Sequence, residues 1–140
     1  MKILLAIDGS PYTRKMLGYL AAHDEWLKAG HEFTVLHVLT PLPGGLVAVM
    51  TDAEVDARQA REAESVFKPV RHYLQMNGIE AGFEHQVGDP GKLIARRAAA
   101  GGFDLVMLGS RGHGTLASAV LGSVVTQVLA GCEVPALIVR

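Results

Sequence analysis

A lone cysteine, almost no net charge and the lack of any long apolar run each remove a class of protein before a motif is read. Cys132 is the one cysteine among 140 residues. It has no partner for an intramolecular disulfide and no companion for a metal site, so a reduced, cytoplasmic protein is expected. Thirteen Lys and Arg against fourteen Asp and Glu leave a formal charge of -1, too little to build the field that draws in a nucleic-acid backbone or an anionic membrane. Neither is expected as a partner. No stretch approaches the roughly 20 apolar residues of a membrane span. Asp8 also interrupts Leu4, Leu5, Ala6 and Ile7 before the apolar segment of about 7–15 residues that a secretory signal requires.

Covalent chemistry is equally short of support. There is no Gly-x-Ser-x-Gly elbow, and Cys132 has no evident histidine and polar partner. His23, His31, His37, His72 and His85 are scattered without paired ligand spacing, so no structural zinc is expected. Phosphoryl transfer needs a positioned base or a lysine clamp, and none can be nominated. No catalytic residue is assigned. No internal repeat, low-complexity tract or linker divides residues 1–140, which are expected to form one domain.

What the chain does contain is apolar residues in abundance: 49% hydrophobic against 19% charged, a globular balance that at this length buries roughly 70% of the unfolded surface. Strand and helix patterns alternate from end to end, which argues an α/β fold with a mostly parallel, doubly wound sheet of five strands and helices on both faces. Residues 2–7 are nearly all apolar, as in a strand buried on both sides, and end at Asp8-Gly9. Ser10 then reads as an N-cap and Pro11 as the first position of a helix running to about residue 29, before Gly30. A second strand covers residues 33–39. Residues 41–45, and onward to 51, read as a loop with the freedom of a lid. Thr51 and Glu54 match a capping box at the start of a long helix, inside which Pro69 predicts a kink or boundary. Residues 79–87 alternate like an edge strand, with Phe83, His85 and Val87 on one face. Asp89-Pro90 opens another helix ending at Gly101 and Gly102, residues 105–108 form a fourth strand, and residues 136–139 a fifth.

The segment between the fourth strand and the last helix carries the chemistry. Gly109-Ser110-Arg111-Gly112-His113-Gly114 leaves the carboxyl end of a strand, where ligands of open α/β sheets bind, and it leads to Gly122-Ser123 at the entrance to a helix. Glycine permits positive φ and close approach of backbone to ligand, so such a loop can present its N–H groups as an anion nest. Ser123 is expected to cap the helix, whose unpaired amides face the same anion. Taken alone, the glycines equally suit a tight strand-to-helix connection. Two other phosphate motifs fail. In Gly88-Asp89-Pro90-Gly91-Lys92 the first P-loop glycine would fall at Gln86, and no Ser or Thr follows the lysine. Residues 112–117 fit a dinucleotide pattern but are not on the first βα turn of a Rossmann half and lack an acidic ribose ligand.

The spacing Gly109-x2-Gly112-x9-Gly122-Ser123 resembles the nucleotide-binding signature of the universal stress protein family, and Ala6-Ile7-Asp8-Gly9-Ser10 is similar to that family's first strand with its terminal aspartate. The resemblance covers the whole order of elements. It implies the adenine-nucleotide α-hydrolase-like fold with strand order 3-2-1-4-5. It implies that the backbone of Val38 meets adenine, that Asp8 and Gly109 lie by base and ribose, and that Gly112, Gly122, Ser123 and Val124 hold phosphates. The implied ligand is ATP, or AMP or ADP, with any Mg or Mn carried by the phosphates. The implied role is a stress-response regulator that hydrolyses ATP slowly at most and pairs into a homodimer through residues 136–139. Asp8 by itself also suits a turn aspartate, and the last strand also suits an ordinary one covered by helices. Arg111 and His113 either add charge near the phosphates or face solvent. The alternative function is an interaction module of the same fold that binds no nucleotide.

Overall fold

The computed structural model describes residues 1–23, 25, 30–113 and 120–140. In chain order the elements are β1 (Lys2–Ile7), α1 (Pro11–Ala22), β2 (Glu32–Leu39), α2 (Gly44–Val47), α3 (Asp52–Met76), β3 (Ala81–Val87), α4 (Pro90–Ala100), β4 (Leu105–Gly109), α5 (Ser123–Gly131) and β5 (Ala136–Val139). The five strands are parallel in the order β3-β2-β1-β4-β5, the order that the family resemblance implied.

β1 lies at the centre because its residues are apolar on both faces. Ile3, Leu5 and Ile7 pack against Met16, Leu17 and Leu20 of α1 and Ala63, Phe67, Val70 and Leu74 of α3. Leu4 and Ala6 pack the other way, with Leu36 and Val106, against Ile94 and Ala98 of α4 and Val125 and Val128 of α5. The alternation of a strand thus feeds two cores at once, and each full burial of a large aliphatic stabilises by about 1.5–3 kcal/mol.

α3 begins with the expected capping box: the Glu54 amide donates to Thr51 Oγ1 at 3.2 Å, and the Thr51 amide donates to Glu54 Oε2 at 2.7 Å. The boundary expected at Pro69 is absent, and the helix is unbroken from Asp52 to Met76. Pro69 is exposed while Phe67, Val70 and Leu74 are buried. The carbonyl of Ser65 that loses its donor therefore lies toward water, and packing outweighs propensity. α3 ends in a Schellman motif, with Gly78 at φ 69, Ile79 N–H on Leu74 O at 2.9 Å and Gly78 N–H on Gln75 O at 3.0 Å. Ile79 belongs to this cap, so β3 starts two residues later than periodicity suggested. β3 does occupy an edge.

One further correction concerns a loop. One turn of helix, α2, orders part of the stretch read as a free loop over residues 41–51. α1 is described from Pro11 to Ala22; its expected continuation over residues 24 and 26–29 lies outside the described residues, as do residues 114–119.

Candidate functional site

β1 leads into α1 on one face of the sheet, and β4 leads toward α5 on the other. The two strands are neighbours, with Ala6 opposite Leu108, so the chain diverges between them and leaves a crevice at their carboxyl ends. A cavity of about 510 Å³ opens there, within the range of about 300–1,000 Å³ usual for small-molecule sites. Asp8, Val38, Gly109, Gly112, Gly122, Ser123 and Val124 all line it. Seven residues spread over 117 positions of sequence share one wall because parallel strands align their carboxyl ends.

Asp8 holds the turn that leads from β1 into α1. Its Oδ1 accepts from the Ser10 amide at 2.9 Å and from Thr13 Oγ1 at 3.0 Å. Its own amide donates to Thr13 Oγ1 at 3.2 Å. Ser10 occupies the N-cap position, but its hydroxyl makes no capping bond, and Oγ is buried without a partner. The Asp8 carboxylate bonds the amide two residues on, the pattern of a turn aspartate, and it takes no amide of α1 itself. The other oxygen, Oδ2, is turned to Gly112: a Cβ on that glycine would stand 2.5 Å from it.

The three signature glycines serve close approach and not positive φ. The described glycines with positive φ are Gly9, Gly30, Gly78, Gly88 and Gly102. A Cβ on Gly109 would meet Tyr12 Cβ at 2.6 Å and the Tyr12 backbone at 3.0 and 3.1 Å. On Gly122 it would lie 3.2 Å from Arg111 Cα and 3.7 Å from the Gly112 nitrogen. Each glycine therefore lets one segment sit directly on another, and the anion nest inferred from left-handed backbone is not the reason these positions are glycine.

The phosphate-loop candidate is pinned at its base. The Ser110 amide donates to Val139 O at 2.7 Å, and the Gly122 amide donates to Ser110 O at 2.8 Å, which sets Gly122 beside Ser110. Gly122, not Ser123, is the N-cap of α5, and Ser123 is its first helical residue. The cap carbonyl accepts from the Thr126 amide at 3.1 Å and from Thr126 Oγ1 at 3.0 Å. The amides of Ser123, Val124 and Val125 have no intrahelical acceptor, and all three residues line the cavity. They form the positive end of a helix dipole, suited to a negative group.

Of the lining residues that sequence reasoning did not single out, His37, Thr13 and Ile94 shape the site most directly. His37 is 8% exposed. It donates Nδ1–H to Ile7 O at 2.9 Å, and its ring meets Phe67 edge-on at 6.3 Å. Thr13 braces Asp8, and Ile94 forms part of the apolar wall beside Val38. Nothing in spacing marks His37, because its partner is set by the register of β2 against β1. His113 is exposed and bonds through Nε2 to the Asp8 carbonyl at 3.0 Å, tying the loop after β4 to the end of β1. Among the described residues, no group of three His, Cys, Asp or Glu could hold a metal ion, and no helix is long and apolar enough to cross a membrane.

The model of the universal stress protein family matches residues 1–140. A universal stress protein of Thermus aquaticus is 30% identical over 140 residues, covering 99% of this chain and 97% of its own length. YxiE of Bacillus subtilis is 29% identical over 150 residues, covering 99% and 98%. The chain spans 42% of the length of a longer relative, Slr1230 of Synechocystis, at 27% identity. Among solved structures, hypothetical protein MJ0577 superposes with a TM-score of 0.80 at 25% identity, over 99% of this chain and 94% of that one. At lower identity, showing the fold alone, are a universal stress protein in complex with cAMP (18%, TM-score 0.73, 100% and 97% covered) and one from Archaeoglobus fulgidus in complex with dAMP (20%, TM-score 0.68, 100% and 98% covered). A family member of Arabidopsis thaliana has AMP bound (15%, TM-score 0.69, 99% and 90% covered). With the family model spanning every residue and near-full-length relatives at 29–30% identity, this chain belongs to the universal stress protein family.

Proposed function

We propose that this chain binds an adenine nucleotide in the crevice between β1 and β4, with ATP as the working ligand and AMP or ADP as alternatives, and that it acts as a cytoplasmic regulator of the stress response. The observation that carries the reading is the convergence of Asp8, Val38, Gly109, Gly112, Gly122, Ser123 and Val124 on one cavity of about 510 Å³. Chemistry supports the assignment of each end. The unpaired amides of α5 and the positive end of its dipole suit phosphate. Val38, Ile94 and Leu108 supply an apolar wall for a base, and Asp8 is an acceptor for hydroxyl or amino groups beside it. The cAMP, AMP and dAMP held by related structures favour an adenine nucleotide. Any Mg or Mn would arrive on the phosphates. Among the described residues no lysine lines the cavity, and hydrolysis is slow at most in this proposal. Residues 1–140 act as one domain. Homodimerisation through β5 is part of the same proposal: Ala136, Leu137 and Ile138 are only half-buried in an apolar strand at the sheet edge.

Calorimetric titration of the purified chain with ATP is expected to saturate at one site per chain, and Gly122→Asp to weaken binding at least tenfold. A carboxylate there would face phosphate, and its Cβ would crowd Arg111 Cα. A wild-type chain that takes up no adenine nucleotide and carries none on purification would end the proposal. One observation favours the second reading, an interaction module without nucleotide. Val47 and Val49 of the 41–51 segment are 41% and 79% exposed, an apolar pair that a partner protein would cover.

A further inference from the structure

We propose that Arg111 makes this site discriminate between nucleotides by phosphate number, its guanidinium taking the outer phosphates of a di- or triphosphate while Tyr12 holds it in place. The inference rests on the nucleotide reading above. Arg111 lines the same cavity as Gly112, Gly122 and Ser123, and its backbone is fixed. Ser110 before it is bonded on both sides, to Val139 and Gly122, and its own Cα stands 3.2 Å from the place of a Cβ on Gly122. The side chain therefore starts from a rigid point beside the N-cap of α5.

Arg111 is the arginine that lines this cavity, and it is not clamped as two others are. Arg97 and Arg71 each fork onto a carboxylate, that of Glu84 and that of Glu64. Arg111 pairs with no carboxylate among the described residues. Its one side-chain hydrogen bond there runs from Nη1 to the Tyr12 hydroxyl at 3.4 Å, a long bond to a neutral acceptor. A guanidinium has five donors in a planar fork that fits a phosphate bidentately, and among the described residues most of this fork has no acceptor. Tyr12 is a firm rest for it: its Cβ and backbone pack on Gly109, and the ring carries the Lys15 ammonium at 4.9 Å and the Arg111 guanidinium at 6.0 Å from its centroid. The Arg111 cation and the positive end of α5 thus border the same cavity. Two carboxylates line the cavity: that of Asp8, whose Oδ1 is already shared by Ser10 and Thr13, and that of Glu62, which lies 3.6 Å from Arg58 Nε. A phosphate seated on the α5 amides completes their bonding and leaves Arg111 on Tyr12. A longer phosphate chain reaches the fork.

The test compares AMP and ATP affinities by calorimetry, at fixed salt and with chelator present, for the wild-type chain, Arg111→Gln, Arg111→Lys and Tyr12→Phe, each with its thermal unfolding recorded. Arg111→Gln is expected to lose on the order of tenfold more ATP affinity than AMP affinity, the scale of a charge-assisted hydrogen bond removed. Arg111→Lys should keep part of the difference as a charge without a fork. Tyr12→Phe should shift the ratio the same way by about two- to threefold, an effect that loss of fold alone would not place on one ligand. An ATP-to-AMP ratio unchanged in Arg111→Gln and Arg111→Lys overturns this inference while leaving the nucleotide reading intact. A wild-type chain that binds neither nucleotide overturns both.

Discussion

Gly112→Ala tests whether the glycine spacing is there for the Asp8 carboxylate. The new methyl would stand 2.5 Å from Oδ2, so a normal contact of about 3.4 Å requires the two to part by about 0.9 Å. A free carboxylate would swing aside at little cost. This one is held, because Oδ1 accepts from the Ser10 amide at 2.9 Å and Thr13 Oγ1 at 3.0 Å, and turning it away lengthens both bonds. Hydrogen bonds to a charged group are worth about 1.5–3 kcal/mol each, and partial loss of the pair places the penalty at about 1–3 kcal/mol. At this chain length that is roughly 3–10 °C in Tm. φ at Gly112 is not positive, so alanine brings no backbone strain to confuse the result. Urea unfolding of wild type, Gly112→Ala, Asp8→Ala and the double variant forms a cycle. The expected outcome is that Gly112→Ala costs little once Asp8 is alanine, giving a coupling close to the full penalty. Gly44→Ala, whose methyl meets nothing within 4 Å, should be neutral. Equal penalties with and without the carboxylate, or no penalty at all, would refute the assignment.

Two further outcomes follow from α3. Pro69→Ala should stabilise the chain by about 1–3 kcal/mol, since the helix gains a donor and loses a clash at an exposed position, and a lowered urea midpoint would show that the proline is needed there. The hydrogen bond from Arg71 holds the Glu64 carboxylate below its ordinary range and raises Arg71. A depressed folded-state value means that Glu64 contributes stability above its unfolded pKa, which is lost as pH falls through the folded one. The stability gap between wild type and Glu64→Gln should therefore be open at pH 7 and close in acid. A gap that persists at pH 2 would place its origin elsewhere.

How much of this was legible depends on how local each cause is. The capping box at Thr51 was readable because both partners lie within four residues. β1 and β5 were readable to the residue, since an apolar run between polar or turn residues has sharp ends. Pro69 misled, because the penalty of a proline is local while the burial of Phe67, Val70 and Leu74 that overrides it is not. Ser123 misled by one position: Gly122 caps α5 because the Ser110 carbonyl draws its amide in, a contact across twelve residues. Ser10 held the right place, but its hydroxyl caps nothing, and its amide is bound instead by the turn aspartate Asp8. The strand order came from the family resemblance and not from periodicity.

The sequence by itself determined the elements and the type of fold, because burial of apolar residues at periods of 2 and 3.6 is a property of neighbours in the chain. It also set the glycine spacing that marks the loop. Only the tertiary structure decided why those positions are glycine, that His37 and Arg111 stand in the same cavity as Asp8, and that the guanidinium of Arg111 meets no carboxylate among the described residues. Those facts depend on the register of β1 against β2 and β4 and on the return of residue 122 to residue 110, distances that no local pattern encodes.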